Sequence, residues 1–221
     1  MILKLVLILK FENQNFCKMT FIESLENKIK LYRELIPFGK FNPSPPIESE
    51  ALRDFENKYG IIIPEDYKEF ISKIGNGEFE LSNGYFLELT ASTWGDISKP
   101  FNPEIESEIY NGLLEIVELD HAGGTIFLVT NGDEYGNIWF RDNNRVDSST
   151  LAIKPFLSKN QKKINFDILI NLYFDSEMKY YLRARENAKI TDSKMQKGSA
   201  IETDNKFEKK SFLFKLFEFF K

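Results

Sequence analysis

The sequence predicts an α+β fold, a mostly antiparallel twisted sheet flanked by helices. Three observations carry that expectation. Segments at 49–59 and 65–74 repeat apolar residues at helical spacing. Short β-rich runs follow, bounded by glycine and polar turns. A last apolar helix pattern closes the series at "INFDILINLYFDSEMKYYLRAR". At 221 residues, with 42% hydrophobic and 29% charged residues, the chain has the composition of a globular protein able to bury a core.

Each element has its own local signals. In the first helix of the central region, Leu52, Phe55 and Tyr59 share a face, and Gly60 suits the left-handed stop. Ile61, Ile62 and Ile63 precede a proline, so the chain there should be extended. Pro64 suits the first position of the next helix, and Glu65 and Asp66 oppose the positive end of its dipole. Tyr67, Phe70, Ile71 and Ile74 then form one apolar face, which Gly75, Asn76 and Gly77 end. "GYFLEL" (84–89) and "LLEIVEL" (113–119) read as strands joined by a long polar connection. "GGTIFLVT" and "GNIWFRD" read as a strand pair about the turn "NGDEY", with Trp139 in the second strand. In the closing helix Phe166, Leu169, Ile170 and Tyr173 fall on one face.

Outside this region the organisation changes. Residues 1–18 hold an apolar run shorter than the roughly 20 residues of a spanning helix. They fit an added strand, an extension upstream of a start at Met19, or a weak secretion signal. Residues 19–43 form an N-terminal helix and linker, in which Thr20 and Glu23 have the spacing of a capping box. Residues 186–206 are polar and aperiodic and read as a flexible linker. Residues 207–221, "FEKKSFLFKLFEFFK", form an amphipathic Phe- and Lys-rich tail. It suits a membrane surface, a partner's groove or the domain itself.

Charge and cysteine content narrow the function. Between Lys40 and Asn160, 10 Lys and Arg stand against 21 Asp and Glu, a balance of −11 within a chain of net charge −5. So acidic a body repels phosphate backbones, which disfavours direct nucleic-acid binding and favours a basic partner. Solvated surface is the plainer reading of the same acids. The single cysteine, Cys17, excludes a thiolate zinc site and an intrachain disulfide, and it fits a cytoplasmic protein. No P-loop or GxSxG motif is present, and the single histidine, His121, lies in a turn-like "LDHAGGT". "DNNRVD" fails as a calcium loop because Val146, Asp147 and Ile153 occupy positions that need a ligand, Gly and Glu. Carboxylate pairs such as Asp133–Glu134 and Glu115–Glu118 are what chance supplies in an acidic domain. No catalytic residue, cofactor site or metal site is expected.

The stretch "PIESEALRDFENKYGIIIPEDYKEFISKIGNG" resembles the signature of the SUKH superfamily, named after fungal cell-wall-assembly regulators. The motif residues are Phe55, Glu56, Gly60, Pro64, Asp66, Tyr67, Phe70, Asn76 and Gly77, with Ile63 where members commonly have Leu. The resemblance spans roughly 44–185 and implies one SUKH-like domain. It implies a non-enzymatic immunity protein that binds and neutralises a cognate toxin domain, often a nuclease. The alternative is a scaffold or regulatory adaptor that uses the tail for docking. Charge and loop position nominate Glu78, Glu80, Trp94, Asp96, Glu104, Glu106 and Glu108 for partner contact, although Trp94 equally suits a core.

Overall fold

The computed structural model describes residues 19–36, 41, 43–75, 80–81, 84–86, 89, 91, 94–119, 124–142 and 153–196. Three helices come first: α1 (Phe21–Leu35), α2 (Ser49–Tyr59) and α3 (Glu65–Lys73). Six strands follow: β1 (Glu80–Leu81), β2 (Gly84–Phe86), β3 (Leu113–Leu119), β4 (Gly124–Val129), β5 (Ile138–Asp142) and β6 (Ile153–Pro155). Helix α4 (Phe166–Gln196) closes the order. The strands pair antiparallel in sequential order, so the sheet is a meander that needs no crossover. The α+β expectation is met, with the helices gathered on one face of the sheet.

Helix α1 begins as its sequence requires. Thr20 accepts from the Glu23 N–H, and the Glu23 side chain accepts from the Thr20 N–H, which completes the capping box. Its apolar stripe of Leu25, Ile29 and Tyr32 is buried in the main core. The rings of Tyr32, Phe41 and Phe174 meet edge to face at 5.1–6.3 Å, and Lys28 pairs with Asp175 at 2.9 Å. Helix α1 is therefore part of the same packed body as α4.

Gly60 ends α2 at φ 62° and ψ 35°, where a side chain would be strained. The chain then runs extended, with Ile61 and Ile63 buried and Ile62 facing out. Pro64 stands one position earlier than the sequence suggests. With ψ at 136° it is the N-cap of α3, and its carbonyl accepts from the Lys68 N–H at 2.9 Å. A proline suits this place because its missing N–H lies outside the helical ladder in either position.

The sheet's inner face presents Leu114, Val117, Ile126, Leu128, Ile138 and Phe140 to the helices. A register shift between Glu115 and Val117 makes a bulge that lets Ile116 and Val117 both be buried. The outer face carries Leu113, Phe127, Val129 and Trp139, which pack with Phe101 in a second, smaller cluster. β4 is accordingly buried along its whole length, as a central strand with both faces covered should be.

Helix α4 continues through Gln196, whereas the sequence reads 186–206 as linker. The difference has a local cause. No proline or glycine interrupts the chain between Phe166 and Gly198, so nothing stops the helix from propagating beyond Arg185. Asn76, Gly77, His121 and the tail 207–221 lie outside the described residues.

The clasp between α2 and α3 is testable. Glu56→Ala removes the acceptor of the Ile63 N–H and the partner of Lys68. It should lower stability by about 1–3 kcal/mol, read as a fall in the urea midpoint at unchanged slope.

Candidate functional site

Two regions hold the residues that the sequence singles out. The first is the signature segment. Glu56 Oε1 accepts from the Ile63 N–H at 2.9 Å, and both carboxylate oxygens accept from Lys68 Nζ at 2.8–2.9 Å. This side chain fixes the extended connector against both helices. Asp66 Oδ1 accepts from the Tyr67 N–H at 2.9 Å, and Oδ2 accepts from the Asp167 N–H at 3.1 Å. Asp66 thus satisfies an otherwise orphaned donor in the first turn of α4. Asn165 does the same for the Ile168 N–H at 3.2 Å. Tyr67 and Phe70 are buried and meet the Phe166 ring, Tyr67 edge to face at 4.9 Å and Phe70 tilted at 5.1 Å. Burial pushes the Tyr67 hydroxyl far up.

These contacts leave a groove of about 420 Å³ at the N-terminal ends of α1, α3 and α4. Phe21, Pro64 and Tyr135 line it together with Glu65, Asp66, Glu69 and Asp167. Burial first, then the neighbouring Asp66 charge, raises the Asp167 carboxyl, against the lowering effects of its Asn171 hydrogen bond and of Lys28. Burial and the carboxylates of Asp66, Glu56 and Glu65 raise the Tyr135 hydroxyl. The signature's acids are committed to backbone donors and to Lys68, an arrangement that positions helices.

The second region is the connection from β2 to β3, whose residues 94–112 lie across the outer face of the sheet. Backbone bonds pin it there: Phe101 N–H to the Asn131 carbonyl at 3.0 Å, Thr130 N–H to the Gly112 carbonyl at 2.8 Å, and Gly112 N–H to the Asp96 carbonyl at 3.1 Å. Gly112 has φ 62°, and a Cβ there would stand 2.8 Å from the Lys99 carbonyl oxygen, so the crossing depends on glycine. Trp94 is 52% exposed and lies against the Arg141 guanidinium, 4.0 Å from its Cζ, so it is a surface residue held on a cation. Glu104 and Glu106 are exposed, as is Ile105 at 43%, and Glu108 is partly so. Asp96 is exposed, but its Oδ1 accepts from the Ser98 hydroxyl at 2.6 Å and the Ser98 N–H at 3.1 Å. These bonds, foremost among the causes, lower its carboxyl and commit it to shaping a turn.

Of the seven residues nominated for partner contact, the structure brings Trp94, Asp96, Glu104, Glu106 and Glu108 together on this one connection. Glu80 stands in β1, and Glu78 lies outside the described residues. Sequence reasoning missed Arg141 and Tyr110. The alternation of Trp139, Phe140 and Arg141 along β5 places Arg141 on the same face as Trp139, which was a usable signal. Tyr110 had none, because only the fold brings it to Arg141.

Among the described residues no group of three or more His, Cys, Asp or Glu side chains is placed to hold a metal ion, and no helix is long and apolar enough to cross a membrane. A meander sheet backed by helices, with signature acids spent on helix positioning and a polar connection displayed on the far face, defines an α+β domain of the SUKH type. The model of the SMI1/KNR4 family (SUKH-1) matches residues 46–156, and the chain belongs to that family. The family includes immunity proteins, and its members are generally non-enzymatic immunity or regulator proteins. Comparison with curated proteins and with solved structures gives no match. The matched segment ends before α4 and begins after α1, so the two helices that complete the core lie outside it.

The raised Asp167 carboxyl makes a signed prediction. A carboxyl whose folded value exceeds its unfolded one stabilises the fold fully below the unfolded value, and this contribution is lost as pH rises through the folded value. Asp167→Asn keeps an oxygen acceptor without the charge. It should therefore raise the denaturation midpoint at pH 7, and the gain should vanish as pH falls below about 4, where the native carboxyl is neutral in both states. Urea titrations across that range check both arms.

Proposed function

We propose that the protein is an immunity protein that binds and neutralises a cognate toxin domain through the 94–112 connection. The observation that carries this reading is an exposed tryptophan and an exposed isoleucine set among carboxylates. Trp94 and Ile105 stand out from a segment holding four acids against one lysine. An aromatic anchor with a charged rim is the anatomy of a protein interface. The acidic rim favours encounter with a basic surface such as the substrate cleft of a nuclease, and it disfavours direct contact with nucleic acid. The partner is thus a basic protein domain met in the cytoplasm, no cofactor takes part, and inhibition acts by occupying the toxin. Membership of a family that includes immunity proteins supports the same reading.

Titration of the full chain against the C-terminal domain encoded by the adjacent upstream gene tests this. Binding should be tight, weaken with added salt and suppress the partner's toxicity on co-expression. Trp94→Ala should weaken it by about 30-fold, the ~2 kcal/mol of an interface hot spot. Replacing Glu104, Glu106 and Glu108 by lysine should slow association and flatten the salt dependence. Absence of binding at low and at high salt would overturn the pairing and favour the adaptor, whose docking element would be residues 207–221.

A further inference from the structure

The outer face contains a cation that the acidic connection does not explain. Arg141 on β5 is 4% exposed, yet among the described residues it forms no ion pair. Its Nη2 donates one long hydrogen bond, 3.3 Å, to Thr125 Oγ1 on the neighbouring strand. The Trp94 ring lies against it at 4.0 Å and the Tyr110 ring at 5.9 Å. Two enclosed donors in this neighbourhood, Arg141 Nε and the Tyr110 hydroxyl, have no acceptor among the described residues, nor has Trp139 Nε1 on the same face. A buried guanidinium is costly unless paired and fully hydrogen-bonded, and aromatic faces satisfy its charge without satisfying its N–H groups. The carboxylates that β3 contributes to the same sheet face, Glu115 and Glu118, are separated from Arg141 by β4, and Glu80 of β1 stands two strands further out in the same register row.

From this we infer that Arg141 and Tyr110, roofed by Trp94, form a subsite that accepts one carboxylate of the bound partner. The inference rests on the proposed interface in taking the partner to be the protein bound at 94–112. A carboxylate supplies what both donors lack: an ionised acceptor for Nε–H and a second oxygen to accept from the Tyr110 hydroxyl. The roof is the most accessible of the enclosing rings, so a rotation of the Trp94 side chain opens the guanidinium without disturbing the strand. The site is charge-selective in a way the rim alone is not. Glu104 and Glu106 meet the partner's basic residues, while Arg141 admits an acid set among them. A basic cleft that also carries a carboxylate fits both.

The chain's two tryptophans, Trp94 and Trp139, both stand on this face, so intrinsic emission reports on it. The full-length protein is titrated with sodium acetate against sodium chloride at constant ionic strength, with phosphate as a second arm. Acetate should change the emission saturably and chloride should not. Tyr110→Phe should weaken acetate binding by about five-fold, the loss of one hydrogen bond of ~1 kcal/mol. Arg141→Gln with an unaltered circular-dichroism spectrum should abolish it, and if that variant does not fold, Tyr110→Phe decides. An emission unresponsive to acetate, or an acetate response unchanged in Tyr110→Phe, would overturn the subsite. Tighter binding of phosphate than of acetate would overturn its assignment to a carboxylate. No toxin is present in this titration, so its failure leaves the immunity reading standing, and failure of toxin binding leaves the subsite standing.

Discussion

One carboxylate of the signature serves two helices at once. Asp66 lies two residues after the proline turn, where a negative charge favours the start of α3, yet its Oδ2 also receives the Asp167 N–H from a helix 101 residues further on. That hydrogen bond joins the signature to the C-terminal helix beside the ring contacts of Tyr67 and Phe70 with Phe166. With it in place, Tyr67 and Phe70 close on Phe166, and the α4 stripe of Leu169, Ile170, Tyr173 and Phe174 continues into the core shared with α1. Glu56 does the equivalent work on the other side of the turn by holding the Ile63 N–H and Lys68. An isolated α3 of nine residues would be marginal in water, so its order depends on these tertiary ties.

This division of labour is why the proposed site of recognition lies away from the conspicuous sequence. Acids that satisfy buried or partly buried backbone donors are not free to meet a partner without loosening the helices they cap. Recognition has to come from residues whose rearrangement costs little. The 94–112 connection qualifies: backbone bonds to Thr130 and Asn131 in the β4–β5 turn and among its own residues pin it, while Glu104, Ile105 and Glu106 are exposed in its middle. The sheet provides a rigid floor, and the display surface can vary without affecting the core on the opposite face.

What the sequence revealed, and what it hid, follows the range of the interactions involved. Local signals are legible: the Thr20–Glu23 capping box, the left-handed Gly60, the extended run of Ile61 to Ile63 and the hairpin about "NGDEY" all reside within a few residues of chain. The Pro64 boundary was misplaced by one residue because proline is tolerated at both positions. The length of α4 is not legible because a polar, aperiodic stretch reads as linker even where no helix breaker interrupts it. The roles of Asp66 and Asp96 were illegible for different reasons. The first spans 101 residues, and the second is a local turn that looks like any other surface acid until its hydroxyl partner is seen.

Arg141 shows the limit most clearly. In an acidic domain a lone arginine in a strand reads as an ordinary surface charge. The meander instead carries it under Trp94 and beside Tyr110, residues 47 and 31 positions earlier in the chain. Burial converts a weak surface cation into a strong and selective one, because few water dipoles remain to screen it and its donors lie in fixed directions. The acidic rim acts over the length of the encounter and is weakened by salt, whereas the enclosed guanidinium acts only at contact and is screened much less. A surface built from both can draw in a basic partner by its net charge and then discriminate among such partners by whether each presents an acid at the one place where a cation awaits it.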